Sequence, residues 1–115
     1  DQEKGQWFDL LDPVKGEPTG MRFRVAGPDS ATQRRAELHL ADHLAEIADE
    51  NGRVTAERRE KARIAALAAC VLDYEIEQDG EALPFNTANV TRVLRAAKWI
   101  EQQVDGFASQ RNLIE

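Results

Sequence analysis

The stretch Met21-Arg22-Phe23-Arg24-Val25 alternates strictly between apolar and basic side chains. Successive side chains of a strand point to opposite faces, so a period of two predicts a β-strand with one apolar and one charged face. A second short apolar segment, Trp7–Leu11, precedes it, and residues 12–20 between them contain two prolines and two glycines. Such residues break regular structure. The N-terminal part of the chain is therefore predicted to form a pair of strands joined by a turn-rich loop.

The same alternation returns in Asp73-Tyr74-Glu75-Ile76-Glu77, with acidic instead of basic side chains. Asp79-Gly80 follows and is a strong signal for a two-residue hairpin turn, with Ala82–Phe85 as the return strand. If the basic and acidic strands are neighbours with their apolar faces inward, the opposite charges share the outer face. We therefore predict a small antiparallel sheet formed by the N-terminal strand pair and a central β-hairpin.

Two helices are predicted between the strand regions. Gly27-Pro28-Asp29-Ser30 is a helix-start signal, and the first helix is expected to run to about Glu50, with Asn51-Gly52 as its left-handed stop. The second helix starts after the N-cap Thr55. From Ile64 to Leu72 this helix is apolar all round, which predicts a position in the centre of the domain.

Two more helices are predicted after the hairpin. Asn86 is a good N-cap for the third, and the amphipathic segment from Trp99 to about Leu113 forms the fourth. The pattern leaves open whether these two helices are continuous or bent. Together the elements predict one α+β domain over residues 1–115, mostly helical, with residues 1–6 disordered.

Composition limits the classes of function. The formal net charge is −6, whereas a general nucleic-acid binder needs a basic face, so no nucleic-acid partner is expected. No apolar run is long enough to span a bilayer, and no membrane association is expected. Cys70 is the one cysteine, which excludes an intrachain disulfide and favours the cytoplasm.

Two stretches resemble a known family. The first is Asp9-Leu10-Leu11-Asp12-Pro13 with Gly16-Glu17-Pro18-Thr19-Gly20-Met21-Arg22-Phe23. The second is Leu83-Pro84-Phe85-Asn86 with Asn89-Val90, followed by Trp99-Ile100-Glu101-Gln102-Gln103-Val104-Asp105 and Arg111-Asn112. Together they resemble the tail assembly chaperones of long-tailed phages and prophages. The middle helices carry no part of the resemblance.

The resemblance implies a non-enzymatic role. Chaperones of this family are thought to bind the aggregation-prone tape measure protein, to recruit tail tube subunits and to leave the mature virion. Such a protein needs exposed apolar anchors and the ability to form homo-oligomers, but neither a catalytic site nor a cofactor. One alternative is a structural tail or head–tail connector subunit that stays in the particle. Another, from a different class, is a small metal-dependent hydrolase.

Aromatic and aliphatic residues near both ends of the chain are the candidate partner-binding anchors. Aromatic side chains are common anchors of protein interfaces. Simple core packing is the competing interpretation, and for Ile100 and Val104 it is at least as good. The candidates are Trp7, Phe8, Trp99, Ile100, Val104 and Phe107.

His39 and His43 are four residues apart on the first predicted helix, so both could face one metal ion. A zinc site needs three or four protein ligands, and no further ligand is evident, so two histidines on a polar helix face are the better interpretation. Cys70 lies between Ala69 and Val71 and is predicted to be a buried, unreactive thiol.

Two clusters of charged residues, one acidic in the central strand region and one basic around the start of the second helix, are candidate ligand sites. The acidic run lacks the ligand spacing of a calcium loop and is interpreted as a solvated strand face that faces Arg22 and Arg24. The basic cluster is diluted by Glu57 and Glu60 and contains no aromatic residue to stack on bases. The acidic run is Asp73, Glu75, Glu77, Asp79 and Glu81, and the basic cluster is Arg53, Arg58, Arg59, Lys61 and Arg63.

Overall fold

Three strands form an antiparallel sheet in a computed structural model that describes residues 1–110. Arg22 lies opposite Glu75, and Phe23 lies opposite Tyr74. This register confirms the prediction that the basic and acidic strands are neighbours with their charges on one face. In sheet order the strands are β1 (Gln6–Leu11), β2 (Pro18–Val25) and β3 (Val71–Glu75).

The central hairpin forms a separate two-stranded sheet instead of extending the first one. Its turn is the predicted one, since Asp79 and Gly80 have φ angles of 54° and 82°. The return strand was predicted to reach Phe85 but ends earlier. Pro84 has no N–H to donate to a ladder, and its carbonyl accepts a 2.5 Å hydrogen bond from the Tyr74 hydroxyl. The strands are β4 (Glu77–Gln78) and β5 (Glu81–Ala82).

Three helices begin at predicted caps. The side-chain oxygens of Ser30, Thr55 and Asn86 each accept a hydrogen bond from a backbone N–H three residues further on. These bonds satisfy donors that have no partner within the helix, and the N-terminal boundaries were therefore readable from sequence. The helices are α1 (Ala31–Ile47), α2 (Ala56–Cys70) and α3 (Thr87–Ala96).

The first helix ends before the predicted boundary at Glu50. Ala48 already has extended backbone angles, and the Asp49 carboxylate accepts hydrogen bonds from the backbone N–H groups of two residues in the following turn. This local side-chain turn competes with the last helical turn. Asn51-Gly52 lies in the loop, where Gly52 has a φ of 77°, and does not cap the helix.

The last two helices are separate. Ala97, with φ −154° and ψ 140°, is both the C-cap of α3 and the N-cap of α4 (Lys98–Ala108). This one extended residue changes the direction of the chain, so α3 and α4 are two helices and not one continuous helix. The helix ends at Ala108, and the predicted end at Leu113 lies outside the described residues.

The N-terminal residues were predicted to be disordered, whereas here they pack against the start of α1. Gln6 is already part of β1, and the Gln2 carbonyl accepts a 2.8 Å hydrogen bond from the Gly27 N–H. The Glu3 carboxylate accepts hydrogen bonds from the Ala31 N–H and from the Thr32 hydroxyl. These contacts add to the cap at the beginning of α1.

The hydrophobic core lies between the inner face of the three-stranded sheet and the helices α2, α3 and α4. By contrast, α1 contributes a single buried residue, Ala36, and α2 is the one element of residues 1–110 against which it packs extensively. The two helices thus form a hairpin at the side of the core. The largest fully buried apolar side chains are Leu10, Phe23, Val25, Val90, Leu94 and Val104.

Candidate interaction surfaces

The predicted anchors on α4 divide between core and surface. Ile100 and Val104 are 6% and 0% exposed, so in this fold they are core residues and offer no surface to a partner. The correction has a simple cause, because the apolar stripe of α4 covers the sheet and α3. Trp99 and Phe107 are half-buried and pack against the edge of the core.

The remaining predicted anchors lie on opposite faces of the sheet. Phe8, on the inner face, stacks on Phe107 at 4.3 Å between ring centroids and on Phe23 at 5.9 Å. Trp7, on the outer face, lies under the Arg22 guanidinium, 5.0 Å from its ring centroid. The six predicted residues therefore do not form one patch, and the stacked Phe8 and Phe107 join the sheet to α4.

A further apolar surface lies between α1 and α2, and none of the six predicted anchors belongs to it. A groove of about 580 Å³ runs between the two helices. We name it the α1–α2 groove. Ala36 and Leu40 of α1 contribute to one wall. The α2 side consists of four alanines: Ala62, Ala65, Ala66 and Ala69.

The α1–α2 groove corrects the prediction that Ile64–Leu72 is buried on all sides. Ala65 and Ala69 are exposed, because α1 packs against only one side of this part of α2. The signal for the groove was present in the sequence, since Ala62/Ala66 and Ala65/Ala69 are two pairs spaced by four residues on one helix face. Hydrophobicity alone did not show whether a neighbour would cover that face.

The two histidines lie on the α1 wall of this groove. Their rings are nearly parallel, 8° apart, with centroids 6.5 Å from each other, and both side chains are exposed. Within residues 1–110, no group of three or more His, Cys, Asp or Glu side chains is arranged to hold a metal ion. His39 and His43 both line the groove.

Cys70, at the end of α2, is 7% exposed, and its Sγ is 3.4 Å from the Ala66 carbonyl oxygen. Burial, reinforced by the nearby carboxylates of Glu37 and Asp105, raises the pKa of the Cys70 thiol to about 11. The thiolate is the reactive form, and at neutral pH it is scarce here. The structure thus agrees with the predicted buried cysteine.

The acidic run separates into two parts. Asp73 and Glu75 lie opposite Arg24 and Arg22 in the sheet, and one Glu75 oxygen accepts a 2.8 Å hydrogen bond from Arg22. Arg22 also approaches Asp9, at 3.2 Å, so it lies between two carboxylates. The remaining acids, Glu77, Asp79 and Glu81, lie exposed on the β4–β5 hairpin.

The basic cluster also divides. Arg63 turns towards α4 and forms an ion pair with Glu101, whose side chain is 4% exposed. Lys98 approaches the other Glu101 oxygen at 3.3 Å. Burial by itself raises the pKa of Glu101, but the two cations outweigh it and hold that pKa below its usual range. The other basic residues of the cluster, Arg53, Arg58, Arg59 and Lys61, are exposed.

The buried Glu101 was not predicted as a special residue. It lies in the first turn of α4, where a carboxylate also interacts favourably with the helix dipole. Its spacing from Lys98 was a visible signal, but its partner Arg63 is distant in the sequence. Only the packing of α4 against α2 brings these charges together.

No helix within residues 1–110 is both long and apolar enough to cross a membrane. Comparisons with protein-family models, curated proteins and solved structures gave no significant match.

Proposed function

We propose that this protein is a non-enzymatic assembly adaptor, a phage tail assembly chaperone that binds tape measure and tail tube proteins in the host cytoplasm. The observation that carries the proposal is the α1–α2 groove. It is a concave surface with an apolar floor, and no element among residues 1–110 occupies it. Concave apolar surfaces of this kind mark binding sites for other molecules.

The two stretches that resemble the chaperone family lend further support, because they meet in the fold. The Gln103 side chain accepts a 2.9 Å hydrogen bond from the Leu11 N–H and donates one of 2.8 Å to the Leu11 carbonyl. Asn86 caps α3, and the Asn89 side chain donates to the Pro84 carbonyl at 2.9 Å. These residues hold the scaffold together, and the groove is built from helices outside both stretches.

Co-expression with the products of the neighbouring genes tests this proposal. The tape measure protein is expected to remain soluble and to co-purify with this chain, and to aggregate when expressed alone. Arg95→Glu, at an exposed position of α3 outside the groove, is the matched control and should behave as the wild type. Failure of every tail protein to co-purify would contradict the chaperone role.

The same system separates the chaperone from a structural subunit. A chaperone is absent from purified mature particles, whereas a tail or head–tail connector subunit is found there at a fixed ratio to the other components. Quantitative mass spectrometry of particles makes the distinction. Stoichiometric presence in the particle would replace the proposed function with that of a connector.

A further inference from the structure

Among the four helices of residues 1–110, α1 is held least by apolar packing. It buries one residue, Ala36, whereas α2, α3 and α4 each bury at least two. Leu40, Leu44 and Ile47 are half-buried, and Leu38 is 57% exposed. Because burial of apolar surface is the main term that favours packing, α1 should separate from the fold at a lower free energy than the other helices.

The polar contacts that tie α1 to the rest of the fold lie in its first turn. The Glu3 carboxylate accepts hydrogen bonds from a backbone N–H and from a hydroxyl of that turn. The Gln33 side-chain amide donates to the Ala26 carbonyl at 2.8 Å and to the Ala108 carbonyl at 2.9 Å. Within residues 1–110, no hydrogen bond or ion pair joins residues 34–47 to another helix or to a strand. Two side chains, Glu3 and Gln33, therefore clamp α1 at one end.

A cavity of about 210 Å³ lies between α1, α2 and α4. Cys70 of α2 and Asp105 of α4 are among the residues that line it. Ala36 and Leu40 of α1, with Ala66 of α2, line both this cavity and the α1–α2 groove. Release of α1 would therefore join the cavity and the groove into one apolar surface and open Cys70 to solvent.

We propose that α1 is a lid that separates from α2 in local openings, while the sheet, α2, α3 and α4 stay folded, and that Glu3 and Gln33 hold it closed. In the closed state, α1 shields Leu67 and Cys70 of α2, which are both 7% exposed. In the open state, that side of α2 becomes accessible, and the packing of the sheet against α3 and α4 is kept.

The chain on either side of α1 is long enough for this movement. Residues 26–30 join α1 to β2, and residues 48–55 join it to α2. At about 3.3 Å per residue, these links reach about 16 Å and about 26 Å when extended. The helix can therefore leave α2 without unfolding β2 or the first turn of α2. Elements that open locally are those with few buried apolar contacts, which is the property that distinguishes α1 from the other helices.

Cys70 reports the opening, because it is the one cysteine of the sequence and lies under α1. The full chain is labelled with an excess of a chromogenic aromatic disulfide, at constant pH and at increasing urea concentrations below the unfolding transition. The labelling rate is expected to depend only weakly on urea, because a local opening exposes little surface. A urea dependence equal to that of global unfolding would overturn the proposal, since Cys70 would then open only with the whole domain.

Three variants distinguish release of α1 from other routes to the thiol. Glu3→Ala removes one clamp and should accelerate labelling about fivefold, the typical effect of losing a helix cap. Glu17→Ala, which removes an exposed carboxylate between β1 and β2, is the matched control and should label at the wild-type rate. Ile100→Val weakens the core in the closed and the open state alike, so it should lower the free energy of unfolding without accelerating labelling.

Gln33→Ala removes the second clamp and should accelerate labelling as Glu3→Ala does. Circular dichroism of each variant verifies that it folds. An unchanged rate in Glu3→Ala would mean that the thiol is reached without release of α1. Equal acceleration by Glu3→Ala and Ile100→Val would mean that labelling follows global unfolding. Either result would overturn the proposal.

Discussion

Leu94 and Leu40 are both leucines on amphipathic helices, yet they lie in different environments. Leu94 of α3 is 1% exposed and packs within the core formed by the sheet, α2 and α4. Leu40 of α1 is half-buried on the wall of the α1–α2 groove. The difference is one of neighbours, because α3 packs against both α2 and α4, whereas within residues 1–110 α1 packs extensively only against α2.

This contrast indicates that the core and the α1–α2 hairpin have different roles. The sheet, α3, α4 and the inner face of α2 contribute the large buried side chains of the core, so their packing is expected to supply most of the stability. The α1–α2 hairpin keeps an apolar face uncovered, which costs stability in the isolated chain but leaves surface for a partner.

Truncating a leucine in each region should give the largest difference. Leu94→Ala creates a cavity in the core and is expected to lower the free energy of unfolding by about 2–5 kcal/mol. Leu40→Ala should cost about 1 kcal/mol or less, because its site is already open to solvent. Urea denaturation followed by circular dichroism measures both, and equal losses would show that α1 belongs to the core.

The Glu101 carboxylate, at the junction of α2 and α4, should have the next largest effect. Glu101→Gln removes both ion pairs and is expected to cost about 1–3 kcal/mol at pH 7, because Arg63 and Lys98 remain partly solvated. The folded pKa is lowered, so this contribution is present above the unfolded pKa of about 4.3 and disappears as the pH falls through the folded value. Denaturation from pH 7 to 3 should show the two proteins converging in acid, and a constant difference would contradict the ion-pair explanation.

A smaller effect is expected on the outer face of the sheet. Arg22 and Glu75 are both substantially exposed, so their coupling should be about 0.2–1 kcal/mol. Arg22→Glu should destabilise the protein, and adding Glu75→Lys should restore part of the loss. A double-mutant cycle in chemical denaturation measures the coupling, and additive losses would mean that the two strands do not interact through these charges.

The smallest effect is expected in the groove itself. Ala65→Lys changes an exposed position and should alter the free energy of unfolding by less than about 0.5 kcal/mol. Ala68→Lys is the matched contrast, three residues along the same helix but 7% exposed, and it should be strongly destabilising. If both variants lost similar stability, the α2 face that carries Ala65 would be part of the core.

Local chemistry in the sequence was sufficient for three helix starts, the hairpin turn and the inward face of β2. Ser30, Thr55 and Asn86 cap the backbone within their own helical turns, and Asp79-Gly80 supplies the positive φ angles of its turn. Likewise, the alternation around Phe23 determines which face of β2 points inward. Each of these features depends on residues close together in the chain, which is why they could be predicted.

The tertiary structure decided which apolar faces are covered. Val104 and Ala65 both lie on helix faces that looked apolar, yet one is in the core and the other lines a groove. The pairing of Arg63 with Glu101 likewise required α4 to pack against α2. Burial is a property of neighbours that are distant in sequence, whereas hydrophobic periodicity records only which side of a helix could be buried.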